Sequence, residues 1–200
     1  MMNGIEKRTY LAWHGDGLVD LGLGSVVFLF GLGMQLDQVL IAPIFGCLAY
    51  PLWLIGKKWI TEKRFGYVEF SDERKRKEKL GMVILLLLGS FTFLLGVMGY
   101  HAVVSGGAGA GFMKENGYLV LGIVFGLLSS SVGLVLGLSR LHVYTSLILA
   151  SVALTHTMAW PHPYGIIFPG LVILVIGISL LGQFLWKYPV DKTGMSEAEE

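Results

Sequence analysis

Residues 17–36 read GLVDLGLGSVVFLFGLGMQL, an apolar stretch in which Asp20 carries the only charge. A helix crosses the ~30 Å hydrocarbon layer of a bilayer with about 20 apolar residues, so this stretch predicts a transmembrane helix. Of the 200 residues in the chain, 54% are hydrophobic and only 14% are charged, and the mean hydropathy is +0.68. Water-soluble domains are usually about one quarter charged. The composition therefore predicts an integral membrane protein.

Five further segments meet the same requirement, and none of the six contains a lysine or an arginine. The polar links near Asp37 and Arg140 are so short that the segments on either side of them must run antiparallel. We therefore predict an all-α, polytopic transmembrane bundle of six helices within residues 1–190, followed by a polar tail at 191–200. The predicted spans are about 17–36, 38–56, 80–103, 117–138, 141–160 and 164–186, with a loop at 57–79.

Positive charge is distributed very unevenly along this arrangement. Fourteen of the 15 lysine and arginine residues fall on one side of the predicted membrane, and only Lys114 falls on the other. Basic residues accumulate in cytoplasmic loops, so both termini and the 57–79 loop are predicted to be cytoplasmic, an N-in, C-in topology. Tryptophan favours the headgroup layer, and all five lie at predicted span ends: Trp13, Trp53, Trp59, Trp160 and Trp186.

The cytoplasmic loop contains two different segments. WITEKRFGYVEF at 59–70 is rich in β-branched and aromatic residues, which predicts a short β-hairpin turning near Gly66. The basic run after it has two interpretations: it binds anionic lipid headgroups, or it is an ordinary solvated loop that sets the orientation. The candidate headgroup ligands are Arg74, Lys75, Arg76 and Lys77.

The 28 glycines lie largely inside the apolar segments, where small residues allow transmembrane helices to approach closely. In the fourth span, Gly122, Gly126 and Ser130 are spaced by four residues. Ser129, Gly133 and Gly137 form a second series of the same spacing. These two small-residue ridges predict that the fourth span is central in the bundle or lies at an oligomer interface.

Ionisable groups inside a membrane are costly and usually have a partner or a function. Asp20 lies about one turn inside the first span, and Asp16 lies one turn earlier on the same face. Asp16 is the natural cap of the first helix and, with Asp20, a candidate solute or ion ligand. Asp20 is either a ligand for a proton, cation or solute, or the ion-pair partner of a basic residue from the loop. A polar face on the fifth span either lines a solute cavity or bonds to neighbouring helices: Tyr144, Ser151 and Thr155.

Three histidines are predicted to lie toward the outer face: His101, His156 and His162. Imidazole is a common ligand of metal ions and of haem iron. The three come from different segments without an HxxxH spacing, so they either converge on a metal or haem or simply bond to backbone and water. The single cysteine, Cys47, excludes an internal disulfide. No cofactor is predicted.

Two stretches, HGDGLVDLGLG at 14–24 and TEKRFGYVEFSDERKRK at 61–77, resemble motifs of small polytopic membrane proteins from prokaryotes. No activity is associated with that group. The resemblance implies a multi-pass protein of a bacterial or archaeal cytoplasmic membrane and assigns no functional residues.

Three functions remain open from the sequence. The leading hypothesis is a non-enzymatic protein that binds or conducts a small solute or ion through the bundle or its homo-oligomer, as in transporters with inverted repeats. It depends on Asp20, on the polar fifth span and on the similarity of GLVDLG at 17–22 to GYLVLG at 117–122. The alternative is an accessory or scaffold subunit of a membrane complex. The third is a membrane redox or metal protein that uses the outer histidines. The expected partner in each case is an anionic bilayer, and no nucleic acid is expected.

Overall fold

A computed structural model describes residues 10, 13–38, 51–65, 76, 79–80, 83, 105–106 and 110–189. Several predictions fall outside these ranges: most of the second and third spans, His101, three of the four candidate headgroup ligands and the tail. Within the described ranges every regular element is helical, which confirms the all-α class.

A 3₁₀ turn at His14–Asp16 is followed by five helices whose bounds the structure describes, and residues 76, 79–80, 83 and 105 are also helical. The five helices are α1 at Leu18–Gln35, α2 at 51–65, α3 at Ala110–Leu136, α4 at Arg140–Thr157 and α5 at Tyr164–Lys187. Within α2 a π-helical turn, Lys57–Thr61, precedes an α-helical turn, Glu62–Phe65.

Three of these helices are long and apolar enough to cross a membrane: Leu18–Gln35, Glu115–Leu136 and Tyr164–Lys187. This confirms that the chain is a membrane protein with transmembrane helices. Helix α4 has 18 residues and carries polar side chains along much of its length, which lowers its hydropathy below that of the other three.

The β-hairpin predicted for 59–70 is wrong over the part that the structure describes, because residues 59–65 are helical. β-Propensity depends strongly on tertiary context. Here Lys57 and Thr61 lie one turn apart on a helix and both reach Asp16, and that shared contact favours the helical conformation.

Helices α1 and α5 form the closest pair and run antiparallel. A Cβ atom placed on Gly24 would lie 2.7 Å from the backbone N of Leu174, and one on Gly170 would lie 2.5 Å from that of Phe28. Gly17 has a φ of 76° and equally close contact with α5. The glycines of this seam are spaced by seven residues on each helix: Gly17, Gly24 and Gly31 on α1, and Gly170 and Gly177 on α5.

Helices α3 and α4 form an antiparallel hairpin that contains the glycines predicted for helix packing. Gly122 faces the side chain of Val152, Gly126 faces Leu149, and Gly133 faces Leu141 and His142. These neighbours are mainly side chains, so the approach is less close than in the α1–α5 seam. Gly137 lies beyond the end of α3, where its φ of 65° permits the tight turn into α4.

The antiparallel pairs place the beginning of α1, the end of α5 and the beginning of α4 at one end of the molecule. Residues 57–65 of α2 are at the same end, because Lys57 contacts Asp16. A buried core extends along α1, α3, α4 and α5 between this end and the opposite one. Its fully buried members include Val27, Leu141, Ile148, Ile166 and Ile173.

Candidate ion site at the beginning of α1

The 3₁₀ turn before α1 places Asp16 where several donors meet. Its Oδ2 accepts hydrogen bonds from Lys57 Nζ at 2.7 Å and from Thr61 Oγ1 at 2.5 Å. Its Oδ1 accepts the backbone N–H of Leu18 at 3.1 Å, so the carboxylate satisfies a free donor at the beginning of the helix. Lys57 Nζ also donates to the carbonyl of Trp13 at 2.5 Å. Asp16 is therefore a buried carboxylate with a full set of partners.

Asp20, one turn further along α1, is in a different environment. Its Oδ2 lies 2.8 Å from Arg140 Nη2, and its side chain is fully buried. The same nitrogen donates a hydrogen bond to the carbonyl of His14 at 2.6 Å. Besides the ion pair with Arg140 and the Tyr144 hydroxyl, no side chain that the structure describes donates a hydrogen bond to either oxygen of Asp20. Asp20 is thus a buried carboxylate with fewer close partners among the described residues than Asp16 has.

Tyr144 lies one turn after Arg140 on α4 and brings its hydroxyl close to the Asp20 carboxylate. Its side chain is buried, and its hydroxyl is within hydrogen-bonding reach of Asp20. A phenol can either donate or accept a hydrogen bond. The three groups therefore form a cluster of a buried anion, a partly exposed cation and a buried neutral hydroxyl.

Two cations from distant parts of the sequence contact the 3₁₀ turn and the beginning of α1. Lys57 contacts Trp13 and Asp16, and Arg140 contacts His14 and Asp20. A buried carboxylate without a cation would cost several kcal/mol, so each aspartate requires its partner. The sequence indicated an ion pair as one explanation of Asp20, but its partner is Arg140, the first residue of α4, rather than a residue of the basic loop.

The other two residues of the predicted polar face do not join this cluster. Thr155 Oγ1 donates to the carbonyl of Ser151 at 2.9 Å and packs against Gly165 of α5. Thr155 lies 11 residues after Tyr144, which is about 16 Å along a helix. Of the predicted solute ligands, Asp16, Asp20 and Tyr144 meet at one end, while Ser151 and Thr155 lie toward the other.

A second polar cluster is found at that opposite end. The Tyr118 hydroxyl and His156 Nδ1 share a hydrogen bond of 2.7 Å, and the Tyr118 ring lies 4.2 Å from the His162 ring, centroid to centroid. Two of the three predicted outer histidines therefore meet at one tyrosine. No group of three or more potential His, Cys, Asp or Glu ligands is found in the described part of the chain, which does not include His101.

Of the four candidate headgroup ligands, only Arg76 belongs to the described residues, and it is helical and exposed. A surface cleft of about 200 Å³ at the charged end is lined by Gly15 and by residues of the end of α5 and its last turn, and Asp20 is not among them. The lining residues from the α5 side are Leu180, Gln183, Phe184, Lys187 and Tyr188.

Sequence reasoning did not assign the partners of the two aspartates or the role of Tyr118. Arg140 was detectable as an isolated cation in a very short link between two spans. Lys57 and Thr61 had the helical spacing of four but were read as loop and strand. Nothing in the sequence connects Tyr118 with the histidines, because their contact depends on how α3, α4 and α5 pack.

No protein-family model matches the chain, and neither the curated proteins nor the solved structures contain a match. The function therefore has to be argued from the geometry of this site.

Proposed function

We propose that the protein conducts a small ion across a membrane and that Asp20 is the residue that binds it. The observation that carries the proposal is the fully buried Asp20 carboxylate, whose side-chain partners among the described residues are the Arg140 guanidinium and the Tyr144 hydroxyl. Intramembrane carboxylates commonly mark ion pathways and proton relays. Asp16, one turn away, is held by a lysine, a hydroxyl and a backbone N–H, so the sparser bonding of Asp20 is not a general property of this end of the molecule.

The polarity of α4 supports the same proposal. This helix contributes Arg140 and Tyr144 to the charged end and His156 to the opposite end. An ion moving along α4 would meet polar groups at both ends. In this proposal α4 lines the path, and the more apolar α1 and α5 support it.

The proposal includes a specific placement in the membrane. We place the charged end in the cytoplasm of a prokaryotic cell, with six spans and both termini inside, since Lys57, Arg140 and Lys187 share that end. Anionic headgroups would then contact the basic residues around 57–79. We treat the protein as non-enzymatic, either as a single bundle or as a homo-oligomer.

The test is ion flux into liposomes that contain the purified full-length protein. Proton entry is followed with an enclosed pH-sensitive dye, and sodium and potassium entry with ion-selective dyes, each under an imposed membrane potential. Asp20→Asn should reduce the conducted flux to that of protein-free liposomes, because the amide keeps the shape but cannot hold the ionic charge.

Asp37→Asn is the matched control, since Asp37 is an exposed aspartate at the other end of the same helix. Its φ of 53° is also well tolerated by asparagine. This variant should conduct like the parent. If no tested ion shows a flux that depends on Asp20, the proposal is overturned.

A further inference from the structure

We infer that the ion bound by Asp20 is a proton and that Arg140 is its internal competitor, leaving Asp20 when the proton binds. This inference rests on the proposed function and specifies its substrate. It is based on the donor set around Asp20, on the unequal exposure of the two partners and on the second contact of Arg140.

The oxygen atoms available as ligands around Asp20 favour a proton over a metal cation. Hard cations such as calcium take about six to eight oxygen ligands, whereas the described residues offer one carboxylate, one phenol oxygen and the carbonyl of His14 near this position. Arg140 Nη2 already lies 2.8 Å from Asp20 Oδ2, where a metal ion would be strongly repelled. A proton needs only one lone pair, which either oxygen of the Asp20 carboxylate can supply.

Either a proton or the Arg140 guanidinium can balance the negative charge of the buried Asp20 carboxylate, so the two are alternatives. Asp20 is fully buried, so its ionised form requires the adjacent cation. A proton from cytoplasmic water that binds a carboxylate oxygen neutralises Asp20 and removes the attraction for Arg140. No bond other than the new O–H is made, and the net charge of the pair rises by one.

The environment of Arg140 allows its guanidinium to leave the ion pair with Asp20. Its side chain is 26% exposed, and the nitrogen that faces Asp20 also donates to the carbonyl of His14 at 2.6 Å. After release it can keep the bond to His14 and turn its charge toward water. Tyr144 can donate to the carboxylate in one state and accept from the carboxylic acid in the other.

Few charged groups of the described residues lie around Asp20. Helix α4 presents Arg140 and Tyr144, the preceding turn presents Asp16, and Gly177 of α5 lies against the backbone of Asp20. Asp16 is held by Lys57 of α2, and this second pair stays closed while the first opens. In this proposal Lys57 therefore stays bound to Asp16, and Arg140 is the cation that a proton replaces at Asp20.

Two readouts on the full-length protein test the inference. The first is the infrared difference spectrum between acidic and neutral pH, which should show the C=O band of a protonated carboxyl group. That band should be lost in Asp20→Asn and kept in Asp37→Asn. The second is the liposome assay, in which proton flux should depend on Asp20 and sodium and potassium flux should not.

The Arg140→Gln variant tests the role of Arg140 separately from that of Asp20. Without the guanidinium, proton binding no longer has to displace a cation, so the dependence of proton flux on cytoplasmic-side pH should shift to higher pH. Arg64→Gln, which removes an arginine bonded to the carbonyl of Ile60 on α2, should leave that dependence unchanged.

The outcomes distinguish the two proposals. Sodium or potassium flux that depends on Asp20, without proton flux, would keep the proposed function and overturn this inference. Absence of an infrared band that depends on Asp20 would overturn the inference whatever ions are conducted. Absence of every Asp20-dependent flux would overturn the proposed function itself.

Discussion

At the scale of single residues, Asp16 and Asp20 show how two identical side chains on one helix face acquire different properties. Both are buried, and each has a cation within 2.8 Å. Asp16 also receives a hydroxyl and a backbone N–H, whereas the described side chains close to Asp20 are Arg140 and Tyr144. Full hydrogen bonding stabilises a buried carboxylate, and incomplete bonding leaves it able to change partners.

The Asp16–Lys57 pair should be essential for stability. Lys57→Met would leave the Asp16 carboxylate buried without its cation, and breaking such a pair costs about 3–5 kcal/mol. The free energy of unfolding, measured by denaturant titration in mixed micelles, should fall by that amount. Lys58→Met makes the same change in charge at an exposed neighbouring position. It should change the free energy of unfolding by less than about 0.5 kcal/mol.

A double variant tests whether the unpaired charge of Asp16 causes the loss of stability in Lys57→Met. Asp16→Asn combined with Lys57→Met removes both charges while an amide oxygen can still accept from the N–H of Leu18. It should recover most of the stability lost in Lys57→Met. A double variant as unstable as the single one would mean that the lysine acts through packing and not through its charge.

At the scale of elements, the glycine seam between α1 and α5 sets the closest helix contact. Atoms of one backbone would meet a Cβ of the other at 2.5–2.8 Å, so neither helix can carry a larger residue without moving. Both glycine series repeat every seven residues, a spacing that keeps one face of a helix toward its neighbour over two turns. The series is visible in the sequence, but a search for spacings of four does not detect it.

Gly24→Ala should destabilise the protein by about 1–3 kcal/mol, the usual cost of overpacking, because its new Cβ would meet the Leu174 backbone. Thermal unfolding in detergent measures the effect. Gly22→Ala is the matched control, since nothing lies within 4 Å of the added atom and alanine favours a helix by up to about 1 kcal/mol. Equal stability of the two variants would show that the seam is not closely packed.

At the scale of the whole molecule, the proposed orientation follows from the grouping of cations at one end. It can be tested with single cysteines in a Cys47→Ala background. Met158→Cys, at the exposed end of α4 far from Arg140, should react with a membrane-impermeant thiol reagent in intact cells. Glu62→Cys, on α2 near the charged end, should react only after permeabilisation. Labelling of the Glu62→Cys variant in intact cells would show that the orientation is the reverse of the proposed one.

The sequence by itself determined the helical class and the membrane environment. These follow from local properties: the length of an apolar stretch and the scarcity of charge. The observed α1 begins and ends within one residue of the predicted 17–36 span.

Only the tertiary structure decided which groups meet those aspartates. Lys57 lies 41 residues from Asp16, and Arg140 lies 126 residues from His14, so no local pattern pairs them. The helical state of 59–65 was decided in the same way, since contact with Asp16 outweighed local strand propensity. Pairing of this kind depends on the order and direction in which helices pack, and that is a property of the folded chain as a whole.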